Sequence, residues 1–146
     1  MWNTFFGIAQ GGNMRVAIIG YAPDVGVYIR AFEKMGFSPD DIIVCEHDPE
    51  KLIHFWSEFP QLQEVRHMHE LMSYECDVAI IAVKGTCLSQ TLNDVRAVGI
   101  QKVLFMEAFE FDGEDIAQIF ADADEHVYVT TDAFGVQEFI ESCRSV

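Results

Sequence analysis

The chain has 146 residues, half of them hydrophobic and 12% aromatic. That is enough apolar material for one domain with its own core, and too much for a disordered chain. Twenty-four Asp and Glu stand against nine Lys and Arg, a net charge of −15. Nucleic-acid backbones and anionic membrane surfaces are both repelled by such a charge, so neither is an expected partner.

The acidity is uneven. From Val103 to Cys143 there is no Lys or Arg, while acids recur from Glu107 to Glu141. Such a stretch is either a solubilising face or a docking surface for a basic partner protein. The cysteines, Cys45, Cys76, Cys87 and Cys143, form no C-x-x-C pair, and Cys45 and Cys76 lie in or beside apolar runs. They read as small buried hydrophobes of a reduced, cytoplasmic protein. No apolar run approaches the length of a membrane span.

Residues 1–13 precede the first strand. Trp2, Phe5, Phe6 and Ala9 fall on one face of a short helix, and Gly11-Gly12-Asn13 breaks it. Without a basic start or a long apolar core it does not read as a secretory signal. Either the stripe packs on its own sheet, or it seals a homodimer; pattern alone leaves both readings open.

From Met14 the chain reads as one domain to Val146. Val16 to Ile19 is an apolar, β-branched strand that stops at Gly20. A turn follows, then a helix carrying Val25, Tyr28, Ile29, Phe32 and Met35, ended by Gly36. Strand, glycine turn and helix form a unit that can take a phosphate: the first N–H groups of a helix lack partners, and glycine lets the backbone approach. The spacing departs from G-x-G-x-x-G. Five residues separate Gly20 from Gly26, Ala22 stands at the middle glycine, and Asp24 adds a carboxylate that repels phosphate.

Asp41 to Glu46 is the second strand. An acid at such a strand end, about 20 residues past the glycine turn, accepts hydrogen bonds from an adenosine ribose. Glu46 and Asp48 are both in range, and the strand end favours Glu46. Asp48-Pro49 also reads as a helix N-cap followed by proline at N1, opening a helix over Pro49 to Phe59 with Leu52, Ile53, Phe55, Trp56 and Phe59 apolar. A 2′-phosphate is repelled by either acid, so NAD is preferred over NADP.

Gln63 to His67 is a short third strand leading into a short helix around Glu70 to Tyr74. His67-Met68-His69-Glu70 has no partner cluster with metal-ligand spacing, so no metal is expected. Cys76 to Val83 is a nearly continuous apolar run, as in a central parallel strand buried on both faces. It ends near Ala82, Val83 and Lys84, where a 3-2-1-4-5-6 sheet has its switch point, and Lys84 is the cation nearest a cofactor phosphate. Leu88, Leu92, Val95 and Val98 mark a helix stopped by Gly99. Gln101 to Met106 is the fifth strand, and Glu107 to Gly113 a loop on the ligand edge. Ile116, Ile119 and Phe120 mark a helix, His126 to Thr131 the sixth strand, and Val136, Phe139 and Ile140 the last helix.

These stretches carry a resemblance. Val16 to Gly20, Gly36 to Val44 and Asp48 to Leu52 resemble the N-terminal half of NAD(P)-dependent reductases of the pyrroline-5-carboxylate reductase type. Asp77 to Val83, Gly99 to Val103 and the Glu107 to Gly113 loop resemble two cofactor domains. One is that of the glucose-fructose oxidoreductase and inositol dehydrogenase group, the other the succinyl-CoA synthetase-type CoA-binding domain. The resemblance implies a three-layer Rossmann-like fold, an α/β doubly wound parallel sheet of about six strands in order 3-2-1-4-5-6.

It also implies a nucleotide-type cofactor, NAD before CoA, held by Gly20, Tyr21, Ala22, Pro23, Asp24, Val25, Gly26, Glu46, Asp48, Ala82, Val83 and Lys84. Departures limit the catalytic inference. The oxidoreductase group has Glu-Lys-Pro where this chain reads Glu107-Ala108-Phe109, and those reductases hold substrate with a further domain. CoA-binding domains carry a serine that Tyr21 to Val25 lacks. The expected role is therefore a regulatory or sensing module, or a subunit of a larger enzyme. Two alternatives stand beside it: an interaction module that kept the fold without a ligand, and a dehydrogenase whose substrate site forms between subunits, with Lys84 and Glu107 as its weak catalytic candidates.

Overall fold

The computed structural model describes residues 14–21, 23–82, 88–100, 102–106, 127–130 and 133–144. Among the described residues six strands and four α-helices follow one another in chain order. They are β1 (Val16–Ile19), α1 (Pro23–Lys34), β2 (Ile42–Cys45), α2 (Pro49–Glu58), β3 (Gln63–Val65), β4 (Val78–Ile81), α3 (Leu88–Ala97), β5 (Lys102–Met106), β6 (Val127–Thr130) and α4 (Ala133–Arg144). Two 3₁₀ turns, Pro39–Asp41 and Met68–Tyr74, precede β2 and β4.

The sheet order is β3-β2-β1-β4-β5-β6, and all five pairings are parallel. This is the expected doubly wound 3-2-1-4-5-6 arrangement. Parallel strands need crossovers, and right-handed crossovers send helices to one face while the chain runs from β1 to β3, and to the other once it runs outward from β4. Both faces of the central strands are thereby covered. Every residue of β1, β2 and β4 is accordingly buried, which is why these strands are apolar without alternation. Cys45 and Cys76 belong to this core.

The helices stop for local reasons. Gly36 ends α1 at φ +94°, a conformation that costs other residues a Cβ clash. Gly36 N–H donates to Glu33 O at 3.1 Å and Phe37 N–H to Phe32 O at 3.1 Å, while the Phe37 ring packs on Phe32 at 5.5 Å. That pair of bonds with its apolar contact is a Schellman motif. Gly99 repeats it after α3: Gly99 N–H reaches Arg96 O at 3.0 Å and Ile100 N–H reaches Val95 O at 3.3 Å. Asp48 caps α2, its Oδ1 accepting Glu50 N–H at 3.0 Å, with Pro49 at the first helical position.

Several strand and helix ends differ from the sequence reading by a residue, and three differences have a clear local cause. The turn after β1 is short, because α1 begins at Pro23; Val25 and Gly26 are helical. β3 stops at Val65 rather than His67, because Arg66 and His67 give their N–H groups to the Glu70 carboxylate at 3.0 and 2.8 Å and leave the ladder. The short helix accordingly starts at Met68 rather than Glu70. Residues 1–13, the Glu107 to Gly113 loop and the helix expected around Ile116 to Phe120 lie outside the described residues. Among the described residues no helix is long and apolar enough to cross a membrane.

Candidate functional site

In an open parallel sheet, ligands sit outside the carboxyl ends of the strands where the winding reverses. Here that point lies between β1 and β4, the central pair of the sheet. The edge is built by main-chain bonds that run past the strands. Ala82 N–H donates to Ile19 O at 2.8 Å, Gly20 N–H to Cys45 O at 2.8 Å, and Glu46 N–H to Val65 O at 3.0 Å. These tie the ends of β4, β1, β2 and β3 together. Gly20 then turns at φ +96°, which only glycine adopts without strain, and it presents no side chain at the edge.

Glu46 dominates the β2 end. It is only 5% exposed. Its Oε1 accepts Tyr21 N–H at 2.8 Å, and its Oε2 accepts His47 N–H at 3.1 Å and Asp48 N–H at 2.9 Å. A buried carboxylate must be satisfied, and three main-chain donors do this. Glu46 thus clasps the β1–α1 turn to the β2–α2 turn. The sequence signal found this residue and its place but not its partners.

Tyr21 is held at both ends. Its ring is buried edge-on against Phe55 and Phe59, with centroids 5.3 and 6.4 Å away. Its hydroxyl donates to Glu58 Oε1 at 2.7 Å. Burial, then the hydrogen bond and charge of Glu58, push the phenol well above its ordinary value of 10.0, against the weaker pull of Arg30. Gly26 sits in the same contact. A Cβ there would meet Glu58 Oε1 and Phe59 at 3.4 Å and the Tyr21 hydroxyl at 3.5 Å, so Gly26 is where α1 packs closely on α2. Val25 is 2% exposed and faces the core.

The sequence-selected residues therefore divide. Gly20, Tyr21, Glu46 and Ala82 meet along the carboxyl edge. Asp48 is the next acid beyond Glu46 and only half-buried; its Oδ1 is the α2 cap. Val25 and Gly26 are packing positions in α1. Pro23 and Asp24 are the first two residues of α1, and Pro23 offers no N–H. Ala22, Val83, Lys84 and Glu107 lie outside the described residues.

Two other chemistries find no support in the described residues. Burial pushes the Cys45 thiol up to about 12, with Glu46 adding to the effect, and Cys76 up to about 11. Burial thus favours the thiol over the thiolate at both, which disfavours a nucleophilic role. His67 and His69 are exposed and stack ring on ring at 5.8 Å, and no group of three or more metal ligands occurs among the described residues.

The amino edge of the sheet carries a different cluster. Arg15 there meets Asp41 at 3.7 Å and donates to Tyr74 O at 2.7 Å, while its N–H donates to Asp77 Oδ2 at 2.9 Å. Arg15, Asp41, Glu75 and Asp77 line an open groove of about 400 Å³. Burial raises the Asp41 carboxyl above its ordinary 3.8, although Arg15 opposes this.

No family model matches the chain. No curated protein matches it either. Solved structures do. A pyrroline-5-carboxylate reductase from Coxiella burnetii is 15% identical over 65% of this chain and 36% of its own, with a TM-score of 0.54. RSP, a Rex-family repressor solved with β-NAD⁺ and operator DNA, is 14% identical over 90% of this chain and 56% of its own, with a TM-score of 0.53. A conserved hypothetical protein from Pyrococcus furiosus is 16% identical over 88% of this chain and 98% of its own, with a TM-score of 0.58. The chain thus spans 36% of the reductase and 56% of the repressor. At these identities the likeness is one of architecture, and the architecture is the Rossmann-type doubly wound sheet.

Proposed function

We propose that this chain binds a nucleotide-type cofactor, NAD before CoA, at the carboxyl edge of its sheet, as a regulatory or sensing module or as a subunit of a larger enzyme. The observation that carries the reading is the switch point itself: β1 and β4 lie side by side, their ends are tied by the Ala82–Ile19 bond, and Gly20 adds no side chain of its own to the edge. The N–H groups of the first turn of α1 would face the pyrophosphate. Asp48 would take the ribose hydroxyls, since its second carboxylate oxygen is not needed for the cap. Glu46 would act from beneath, holding the turn. Both acids disfavour a 2′-phosphate, so NADP would bind more weakly. The NAD⁺ carried by RSP supports a cofactor on this architecture.

A thermal-shift panel tests this. A ligand that binds the folded chain alone raises Tm in proportion to the logarithm of its concentration; at a hundred times Kd the gain is about 2.7 kcal/mol. NAD⁺ or NADH is expected to raise Tm, CoA to raise it less, and NADP least. No shift with any of them overturns the reading.

One observation favours a second reading. Tyr21 N–H and both Glu46 oxygens are already bonded within the chain. A turn so satisfied keeps its shape without a ligand, as an interaction module on this scaffold would need. The acidic stretch from Glu107 to Glu141 would then meet a basic partner. A flat thermal-shift panel together with retention on a basic peptide column, lost at high salt, supports this reading instead.

A further inference from the structure

Four large hydrophobic side chains are exposed among the described residues, and two of them, Ile53 at 62% and Trp56 at 41%, stand one helical turn apart on α2. Their flank can be located. Glu58 marks the side of α2 that faces α1, since it accepts the Tyr21 hydroxyl and lies beside Gly26. Trp56 is two residues earlier, about 200° round the helix, and so on the opposite flank. That flank overhangs β3, which ends the sheet. Trp56 also lies in the second half of α2, near the amino edge of the sheet, because α2 runs from the end of β2 to the start of β3.

The chain outside this flank supplies a fitting occupant. Residues 1–14 are the longest run in the sequence without an ionisable side chain. They carry the stripe Trp2, Phe5, Phe6 and Ala9. An eight-residue helix is too short to hold itself in water and needs a surface. Met14, where this run meets β1, is packed against the core at the amino edge. From there to the α2 flank is about 10 Å across two strand spacings and about 10 Å up to the helix layer. The direct path is thus about 14 Å, and the five steps from Ala9 to Met14 can reach about 17 Å. A second copy could offer the same stripe only by bringing two bodies of charge −15 together, whereas a tether holds the segment at an effective concentration in the millimolar range.

We propose that the aromatic stripe of residues 1–13 docks, within the same chain, on the Ile53–Trp56 flank of α2. The stripe then shields the exposed end of α2 beside the sheet edge, and the acidic chain keeps its uncharged segment from joining copies.

The sequence supplies its own reporters: its two tryptophans are Trp2 and Trp56, one on each side of the contact. In full-length Trp2→Phe, Trp56 alone emits. Adding Phe5→Ser and Phe6→Ser is expected to move its emission to the red and raise its quenching by acrylamide. In Trp56→Phe, Trp2 alone emits, and Ile53→Asp is expected to expose it in the same way. Ile53 is a surface position, so this variant folds even if the serine variant does not. Both effects are expected to persist on dilution, at a sedimentation mass of one chain. Unchanged quenching in both backgrounds overturns the proposal. So does an effect that appears only where the mass doubles, which would assign the stripe to a second copy.

Discussion

Strand β2 has a buried acid at each end, and the two are held differently. Glu46, at the carboxyl edge, is 5% exposed and receives three main-chain N–H groups. Asp41, at the amino edge, is 6% exposed and depends on the Arg15 side chain at 3.7 Å. Backbone donors are fixed by the fold and lose no side-chain freedom in making their bonds. A flexible arginine, itself partly in solvent, compensates burial less well, and the Asp41 carboxyl is pushed up. Glu46 is therefore held by the backbone frame of the two turns, and Asp41 in an electrostatic compromise.

The contrast is broken most severely at Glu46. Glu46→Ala leaves three donors without an acceptor, and urea denaturation is expected to record a loss of about 3 kcal/mol. A loss below about 1 kcal/mol would mean that water replaces the carboxylate and that the clasp is not rigid. Next comes Tyr21→Phe, which removes the bond to Glu58 at an expected cost of about 1–2 kcal/mol. Its pH dependence has a definite sign. A phenol whose pKa is raised on folding contributes its full stability below the ordinary value of 10.0 and loses it as pH rises further. The gap between the protein and Tyr21→Phe should thus be constant at neutral pH and narrow above pH 10.

At the amino edge the effect is smaller, and its pH dependence has the same sense at lower pH. Asp41 binds its proton more tightly folded than unfolded, so its contribution is greatest below the ordinary 3.8 and falls as pH rises through the raised folded value. Asp41→Asn is therefore expected to gain relative to the parent as pH rises from 3.8 towards neutrality, by less than about 1 kcal/mol. A variant that instead falls behind over that range would make the Arg15 pair a net stabiliser. Smallest of all is Gly26→Ala. The added Cβ meets its neighbours at ordinary contact distances, and alanine favours a helix interior by about 1 kcal/mol. Tm is expected to stay level or rise slightly, whereas leucine at the same position should lower it.

The fold was legible because its signals are local and repeated. Continuous apolar runs at Val16 to Ile19 and Val78 to Ile81 mark central parallel strands, and Gly36 and Gly99 mark helix ends wherever a Schellman turn needs φ > 0. The site was only half legible. Sequence spacing put Glu46 at the strand end but could not reveal that Tyr21 N–H would fill one of its oxygens, a bond between residues 25 apart. It could not separate Gly26 as a phosphate glycine from Gly26 as a position where two helices pack closely, since a small residue suits both. Nor could helical spacing distinguish Leu52 and Phe55, which face the core, from Ile53 and Trp56, which do not. All four are apolar, and only the position of the neighbouring strands decides.

Amide chemical shifts in the presence of NAD⁺ test the carboxyl-edge site most directly. Shift changes centred on Gly20, Val25, Asp48 and Ala82, with Arg15, Glu75 and Asp77 at the other edge unmoved, are the predicted result. Changes confined to the Arg15–Asp41 groove, or none at saturating NAD⁺, would contradict it.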